Sequence, residues 1–261
     1  MKRALMPVVV MVAGLLWAGQ AQAQVQPQDQ AQAQTADSVV EKHLAAMGGR
    51  SAMAKLTSEV AVGTASVATQ EVDIGGPIEI YKKATNKARS FLRLDLTAYG
   101  GTEMVIDQRC DGKTAFQSNS LQGDREITGA QLQGLLNASF PSALLNYKDA
   151  GATVGLVGKD TIGDRAVVVL QHTPKAGPGS RLFFDAETFL LLRAVSKTTA
   201  PELGGEVEQI SDFADYRTVD GVKTPFSVTI VTPTQTLTIS LTKVEYNTPI
   251  DDAMFARPVV K

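Results

Sequence analysis

The chain has 261 residues, 44% of them hydrophobic and 20% charged, and its 25 Lys and Arg fall just short of its 27 Asp and Glu. With no basic excess it has no means of releasing many counterions from phosphates, which excludes nucleic acid as the expected partner and gives little attraction to an anionic membrane. The only cysteine, Cys110, excludes an intramolecular disulfide, so stability has to come from packing.

In chain order, Met1 to Ala23 reads as a signal peptide. Lys2 and Arg3 form its charged start, Pro7 to Trp17 its apolar stretch, and Ala21-Gln22-Ala23 its exit site, with cleavage before Gln24. The apolar stretch is shorter than the roughly 20 residues that span a bilayer, so no membrane anchor is expected. No cysteine sits at the exit site, so the protein is not expected to be lipidated there. The expected location is the periplasm. Gln24 to Ala36 is a polar Gln/Ala tract without a hydrophobic period and reads as a disordered tether. Residues 37–261 then suffice for one domain.

Asp37 to Leu56 reads as helical: Val39, Val40, Leu44 and Met47 recur at helical spacing, Ser38 with Glu41 fits a capping box, and Ser51 can cap a second short helix after Gly48-Gly49. From Glu59 the period becomes two. Val60 and Val62, Ile78 and Ile80, and Leu92, Leu94 and Leu96 mark strands, and Met104 to Arg109 turns at Asp111-Gly112 into Thr114 to Gln117. A helical interruption follows, with Thr128 and Gln131 as a capping box, Leu132, Leu135 and Leu136 as an apolar stripe, and another helical turn at Pro141 to Tyr147.

Strands resume at Thr153 to Asp160, Ala166 to Thr173, Arg181 to Phe184, Phe189 to Thr198, Gly205 to Tyr216, Val222 to Val231 and Thr236 to Tyr246. Short links between about ten or eleven strands point to one antiparallel meander, mainly β with a few helices. In the last strand Leu237, Ile239 and Leu241 share one face and the threonines the other. A sheet this long twists and curls, so its apolar side needs the helices as cover.

Residues able to do chemistry are sparse. His43 and His172 lie in no zinc-binding spacing and read as structural or solvated. No G-x-S-x-G elbow or S-x-x-K pair is present. Asp107, Asp111, Asp212 and Asp215 read as acids of turns and wet strand faces. Gly48-Gly49, Gly75-Gly76, Gly100-Gly101 and Gly204-Gly205 read as turns, since none has the strand-glycine-helix setting of a phosphate loop. No catalytic residue, metal site or cofactor is therefore expected, and the chain is not read as an enzyme.

Three short motifs resemble a known family. Met104-Val105-Ile106-Asp107 leads into Asp111-Gly112-Lys113-Thr114-Ala115-Phe116, Asp220-Gly221-Val222-Lys223-Thr224-Pro225-Phe226 forms a second hairpin pattern, and Asp251-Asp252-Ala253-Met254-Phe255 is followed by Pro258. With the order of elements, these resemble the LolA/LolB-like periplasmic lipoprotein carriers and the wider outer membrane lipoprotein-sorting proteins. The basic-proline-aromatic signature of those carriers is not evident in Lys82 to Lys87, and the nearby basic residue Arg93 is not assigned its role.

The resemblance implies an unclosed antiparallel β-barrel whose concave face is covered by helices and accepts acyl chains of a lipoprotein or another envelope lipid. The lining expected from the apolar strand faces is Leu92, Leu94, Leu96, Met104, Ile106, Leu182, Phe184, Phe226, Val228, Leu237, Ile239 and Leu241, with Leu132, Leu135 and Leu136 as a lid. The alternative on the same scaffold is a non-catalytic envelope sensor that recognises a protein partner through an edge strand or the tether.

Overall fold

Alternating apolar and polar side chains favour extended backbone wherever one sheet face is to be buried, and this pattern governs most of the chain. The computed structural model describes residues 34–138, 140–200 and 205–257. The signal-peptide reading of Met1 to Ala23, most of the tether, Gly204 and Pro258 lie outside the described residues.

Among the described residues thirteen strands form one antiparallel sheet. The first six are β1 (Ser58–Ala68), β2 (Asp73–Lys83), β3 (Lys87–Asp95), β4 (Glu103–Asp111), β5 (Ala115–Asn119) and β6 (Gly123–Ile127). The other seven are β7 (Thr153–Ile162), β8 (Arg165–Thr173), β9 (Ser180–Asp185), β10 (Leu191–Ala200), β11 (Gly205–Val219), β12 (Val222–Val231) and β13 (Thr236–Tyr246). Two meanders, β1 to β6 and β7 to β13, meet where β1 pairs with β13. The free edges are β6 and β7, consecutive in sequence and at opposite ends of the sheet. They do not pair, so the barrel is unclosed.

The expectation of ten or eleven strands undercounts. The strand not foreseen is β6, whose sequence Gly-Asp-Arg-Glu-Ile offers one apolar residue to an alternation test; it forms because its backbone continues the ladder of β5. Gly75-Gly76 is also not a turn but the interior of β2, where a Cβ on Gly76 would stand 2.0 Å from the Arg93 carbonyl oxygen. Glycine there permits close approach of two backbones.

Helix α1 (Ala36–Ala46) starts one turn earlier than its sequence suggests. Thr35 is the cap: its hydroxyl accepts from the Ser38 amide at 3.2 Å, and the Ser38 hydroxyl accepts from the Thr35 amide at 3.1 Å. Glu41 instead receives Arg50 at 2.6 Å. Helix α2 (Arg50–Met53) is capped by Gly49, not Ser51, and no side chain bonds its first turn. Val39, Val40 and Leu44 of α1 and Met53 of α2 are buried against Val168, Leu170, Leu182 and Phe184.

From β6 the chain crosses to the far edge of the sheet through α3 (Gly129–Asn137) and a run of turns. Thr128 occupies the cap position of α3, yet its side chain makes no capping bond. Pro141 to Tyr147 forms turns and not a helix. Leu132, Leu135 and Leu136 pack on Cys110, Ala115 and Ile127. The end of α3 is tied on both sides, by Asn86 donating to the Leu136 carbonyl at 2.9 Å and Asn137 donating to the Ala176 carbonyl at 2.8 Å. Leu144, Leu145 and Tyr147 then join the core beneath α1. Tyr147 donates to Asp37, and Lys148 pairs with the same carboxylate at 2.7 Å.

Candidate functional site

Cross-strand register decides which side chains share a face, because neighbours in a ladder point the same way. Val67 lies opposite Leu237, Leu237 opposite Ile230, Ile230 opposite Ser211, Ser211 opposite Ala194, Ala194 opposite Leu182, and Leu182 opposite Leu170. One row thus runs across seven strands. A second row joins Ala65, Ile239, Val228 and Phe213, and a third joins Ile106, Leu92, Ile78, Gly63 and Leu241. These rows occupy the face on which α1 and α3 pack.

That inner face is not filled uniformly. Phe184 is fully buried beneath α1, its ring centroid 4.9 Å from that of His43. Leu92 and Leu94 are buried in a separate cluster, with Leu96, Met104, Ile106, Leu237 and Ile239 half-buried along it. Phe226 and Leu241 pack with Ala61 and Val244. Val228 is half-buried opposite Ile239.

Between the α1 core and the α3 contacts a cleft of about 560 Å³ remains. Its roof is Ala130, Gln131, Gly134, Leu135, Asn137 and Ala138, continued by Ser142, Ala143 and Leu144. Its walls include Gln108, His172, Ser180, Leu182, Leu191, Ala194, Ser196, Gln209 and Phe213, with His43 at one side. The structure therefore brings Leu182 and Leu135 of the expected residues to the cleft. It places Leu132 and Leu136 in the contacts that hold α3 down, and the remaining expected residues along the same face, all but Val228 within its clusters.

Sequence reading missed Leu191, Phe213, Leu144 and every polar residue of the cleft. Alternation within β11 could have flagged Phe213; nothing local marks Gln108, Ser180, Ser196 or Gln209. His43 is buried, and its Nδ1 bonds the Phe189 carbonyl at 2.9 Å, so Nδ1 carries the proton. Burial lowers its pKa, and the bond to Phe189 opposes this only in part. Burial likewise lowers the pKa of His172. Both imidazoles are neutral near pH 7. Among the described residues no group of three or more His, Cys, Asp or Glu is placed to hold a metal ion. No helix among them is long and apolar enough to cross a membrane.

The outer face carries the charged side chains around the strand-turn motif and the closing motif. Asp107 is not a wet-face acid: it is 8% exposed and held by Arg89, through bonds of 2.8 Å to each carboxylate oxygen, and by Arg109 at 2.6 Å. Burial alone would raise its pKa, but the two guanidiniums prevail and lower it. Asp111 does act as a turn acid, accepting from the Lys113 and Thr114 amides at 2.8 Å. Asp212 pairs with Arg193 and Asp215 with Arg217.

The closing motif docks on this same face. Arg109 donates to the Ala256 carbonyl at 3.1 Å, Asp252 pairs with Lys83 and Lys87 at 2.7 and 2.6 Å, and Phe255 is buried. The strand-turn motif and the terminal motif, 147 residues apart at that contact, are thus one cluster. Arg93 is exposed, and its place between Leu92 and Leu94 turns it to the outer side.

No family model matches the sequence, and no curated protein matches it. Solved structures do match. A putative outer membrane lipoprotein-sorting protein domain from Vibrio parahaemolyticus aligns with a TM-score of 0.54 at 9% identity, over 83% of this chain and 94% of its own. A DUF1329 family protein from Desulfovibrio piger gives 0.54 at 14% identity, over 85% and 97%. A LolA superfamily protein from Nitrosomonas europaea gives 0.55 at 12% identity, over 86% and 99%. The unclosed antiparallel barrel with helices on its inner face is thus a fold that this chain shares with these three structures over nearly their whole length.

Proposed function

We propose that this protein is a periplasmic carrier or chaperone that takes the acyl chains of a lipoprotein or another envelope lipid into the cleft beneath α3. The observation that carries this reading is the register of the sheet, which aligns Leu170, Leu182, Ala194, Ile230, Leu237 and Val67 on one face, where Leu182 and Ala194 line a cleft that no side chain fills. The cleft's volume of about 560 Å³ falls within the ~300–1,000 Å³ typical of small-molecule sites. Each methylene moved there from water contributes about 0.8 kcal/mol, so a long tail gives useful affinity after ordering costs. One similar structure is that of a putative outer membrane lipoprotein-sorting protein domain, which agrees with this cargo.

The half-buried residues Leu96, Met104, Ile106, Val228, Leu237, Ile239 and Leu241 extend the apolar surface beyond the cleft, and Leu132, Leu135 and Leu136 serve as its lid. Catalysis, a metal and a cofactor play no part. The leader Met1 to Ala23 delivers the chain across the inner membrane and is removed, leaving the domain preceded by the Gln/Ala tract. Native purification followed by solvent extraction and mass spectrometry tests the proposal: a stoichiometric lipid supports it, and a lipid-free protein that also fails to bind fluorescent fatty acids overturns it.

A second reading, an envelope module that recognises a protein, is favoured by the β7 edge. There Leu156 and Val157 are 44% and 59% exposed, and an unpaired strand edge can accept an extended peptide. One dominant protein partner in envelope cross-linking, with no bound lipid, would select it.

A further inference from the structure

One row of the cleft wall is polar. His172 lies opposite Ser180, Ser180 opposite Ser196, and Ser196 opposite Gln209, so four neighbouring strands present four hydrogen-bonding side chains side by side. All four line the cleft. The row runs parallel to the Leu170, Leu182, Ala194 and Ser211 row, two residues further along each strand. Among the described residues none of the four side chains is hydrogen-bonded within the protein, and none of their polar atoms is sealed from solvent. His172 is the informative member: it is 8% exposed, without a partner, and part of the cleft wall. A ligand seated on the row shuts these atoms off from water and has to supply their hydrogen bonds itself, so the row suits one that completes it.

Charge is missing from the row and nearly missing from the cleft. Among the described residues no Asp, Glu or Arg lines it, and the one lysine there, Lys197, is 70% exposed and stands 3.7 Å from the Glu206 carboxylate. An anionic head placed on the row would lose its water without gaining a cation. A hydroxyl, ester or amide can both donate to and accept from imidazole, hydroxyl and carboxamide at no such cost.

We infer that His172, Ser180, Ser196 and Gln209 form a head-group subsite that selects an uncharged, hydroxyl- or amide-bearing amphiphile, with its tail lying along Leu182, Leu191 and Phe213. The inference rests on the carrier reading and specifies its cargo. Isothermal titration of the full chain with three probes sharing an oleoyl tail tests it: monooleoylglycerol, oleate at pH 8, and oleoyl lysophosphatidylglycerol, each below its micellar concentration.

The uncharged probe should bind about tenfold more tightly than either anion, the discrimination that one unmade buried hydrogen bond gives. His172→Leu and Gln209→Leu should erase most of that preference, and Ser196→Ala, a milder change, keeps the test sound should His172→Leu fold poorly. Equal affinities, a preference for an anion, or a preference that survives these substitutions overturns the subsite while leaving the carrier reading in place. Failure of all three probes to bind overturns both.

Discussion

Arg89 grips Asp107 with two parallel hydrogen bonds of 2.8 Å on the outer face of β3 and β4. Arg109 completes the cluster and passes the contact on to the Ala256 carbonyl. All three side chains are largely buried, with exposures of 15%, 10% and 16% for Arg89, Asp107 and Arg109. Asp107→Ala therefore leaves two guanidiniums facing each other without a counter-charge. The expected loss is about 3 kcal/mol in urea unfolding, since breaking a buried pair from one side costs more than the pair contributes. A loss below about 1 kcal/mol, the scale of an exposed pair, would remove the cluster's structural role.

Acid should loosen the same face. Lys83 and Lys87 hold the Asp252 carboxyl down to about 2 from its ordinary 3.8, and Arg89 and Arg109 lower that of Asp107 against its burial. A carboxyl whose folded pKa is depressed contributes in full above its unfolded value and loses that contribution as pH falls toward the folded one. Hydrogen exchange of residues 252–257 should thus accelerate between pH 4 and 2 before the α1 core opens. Simultaneous exposure of both regions would contradict this order.

His43 sets a milder window. Its pKa is lowered from 6.5 by burial, so the folded protein binds its proton less readily than the unfolded chain does. Stability is complete above 6.5 and declines as pH falls below it, and His172 acts in the same direction. Melting temperatures between pH 7.5 and 5 should fall for the wild type and fall less for His43→Gln. Parallel curves for the two proteins would refute the assignment.

Filling the cleft should separate binding from folding. Ala194 is half-buried on its wall, with Leu182 across the ladder, so Ala194→Trp projects an indole into the cleft that the proposed tail would occupy. Affinity for a fluorescent fatty acid should drop by about tenfold or more, while Phe184→Ala, in the sealed core, should instead cost about 3–5 kcal/mol of stability. Undiminished uptake by Ala194→Trp would place the ligand elsewhere.

Adjacent glycines give a steric comparison. Gly48 and Gly49 both adopt positive φ, at 119° and 92°, but a Cβ on Gly48 would meet the Gly221 carbonyl oxygen at 2.3 Å and one on Gly49 would meet nothing. The Lys223 amide bonds the Met47 carbonyl at 2.9 Å beside that contact. Gly49→Ala should cost about 1 kcal/mol for conformation alone, and Gly48→Ala about 2 kcal/mol more as the helix is pushed off the hairpin. Denaturant midpoints for the two variants provide the check.

The strands were legible where local pattern and tertiary burial agree. Thr236 to Tyr246 and Val222 to Val231 alternate cleanly and end where their turns do. Strand β6 was illegible because a ladder partner, not its own side chains, makes it a strand. Gly75-Gly76 misled because glycine serves close backbone approach as readily as turning. Leu182 and Leu135 could be anticipated for the cleft from apolar spacing. The row of His172, Ser180, Ser196 and Gln209 could not, since each contributes one residue from a different strand and only register makes them neighbours. Asp107 carried no mark of burial because its two arginines are ordinary residues until β3 and β4 align.

The seam between β1 and β13 has a consequence for how the molecule comes into being. Each meander can zip from neighbouring hairpins as it emerges, but β1 waits for a strand nearly the whole chain away, so vectorial synthesis leaves its open edge unsatisfied until the very end. A product truncated before Thr236 would display two raw ladders in the middle of the sheet, where an intact chain displays none, and would be prone to self-association.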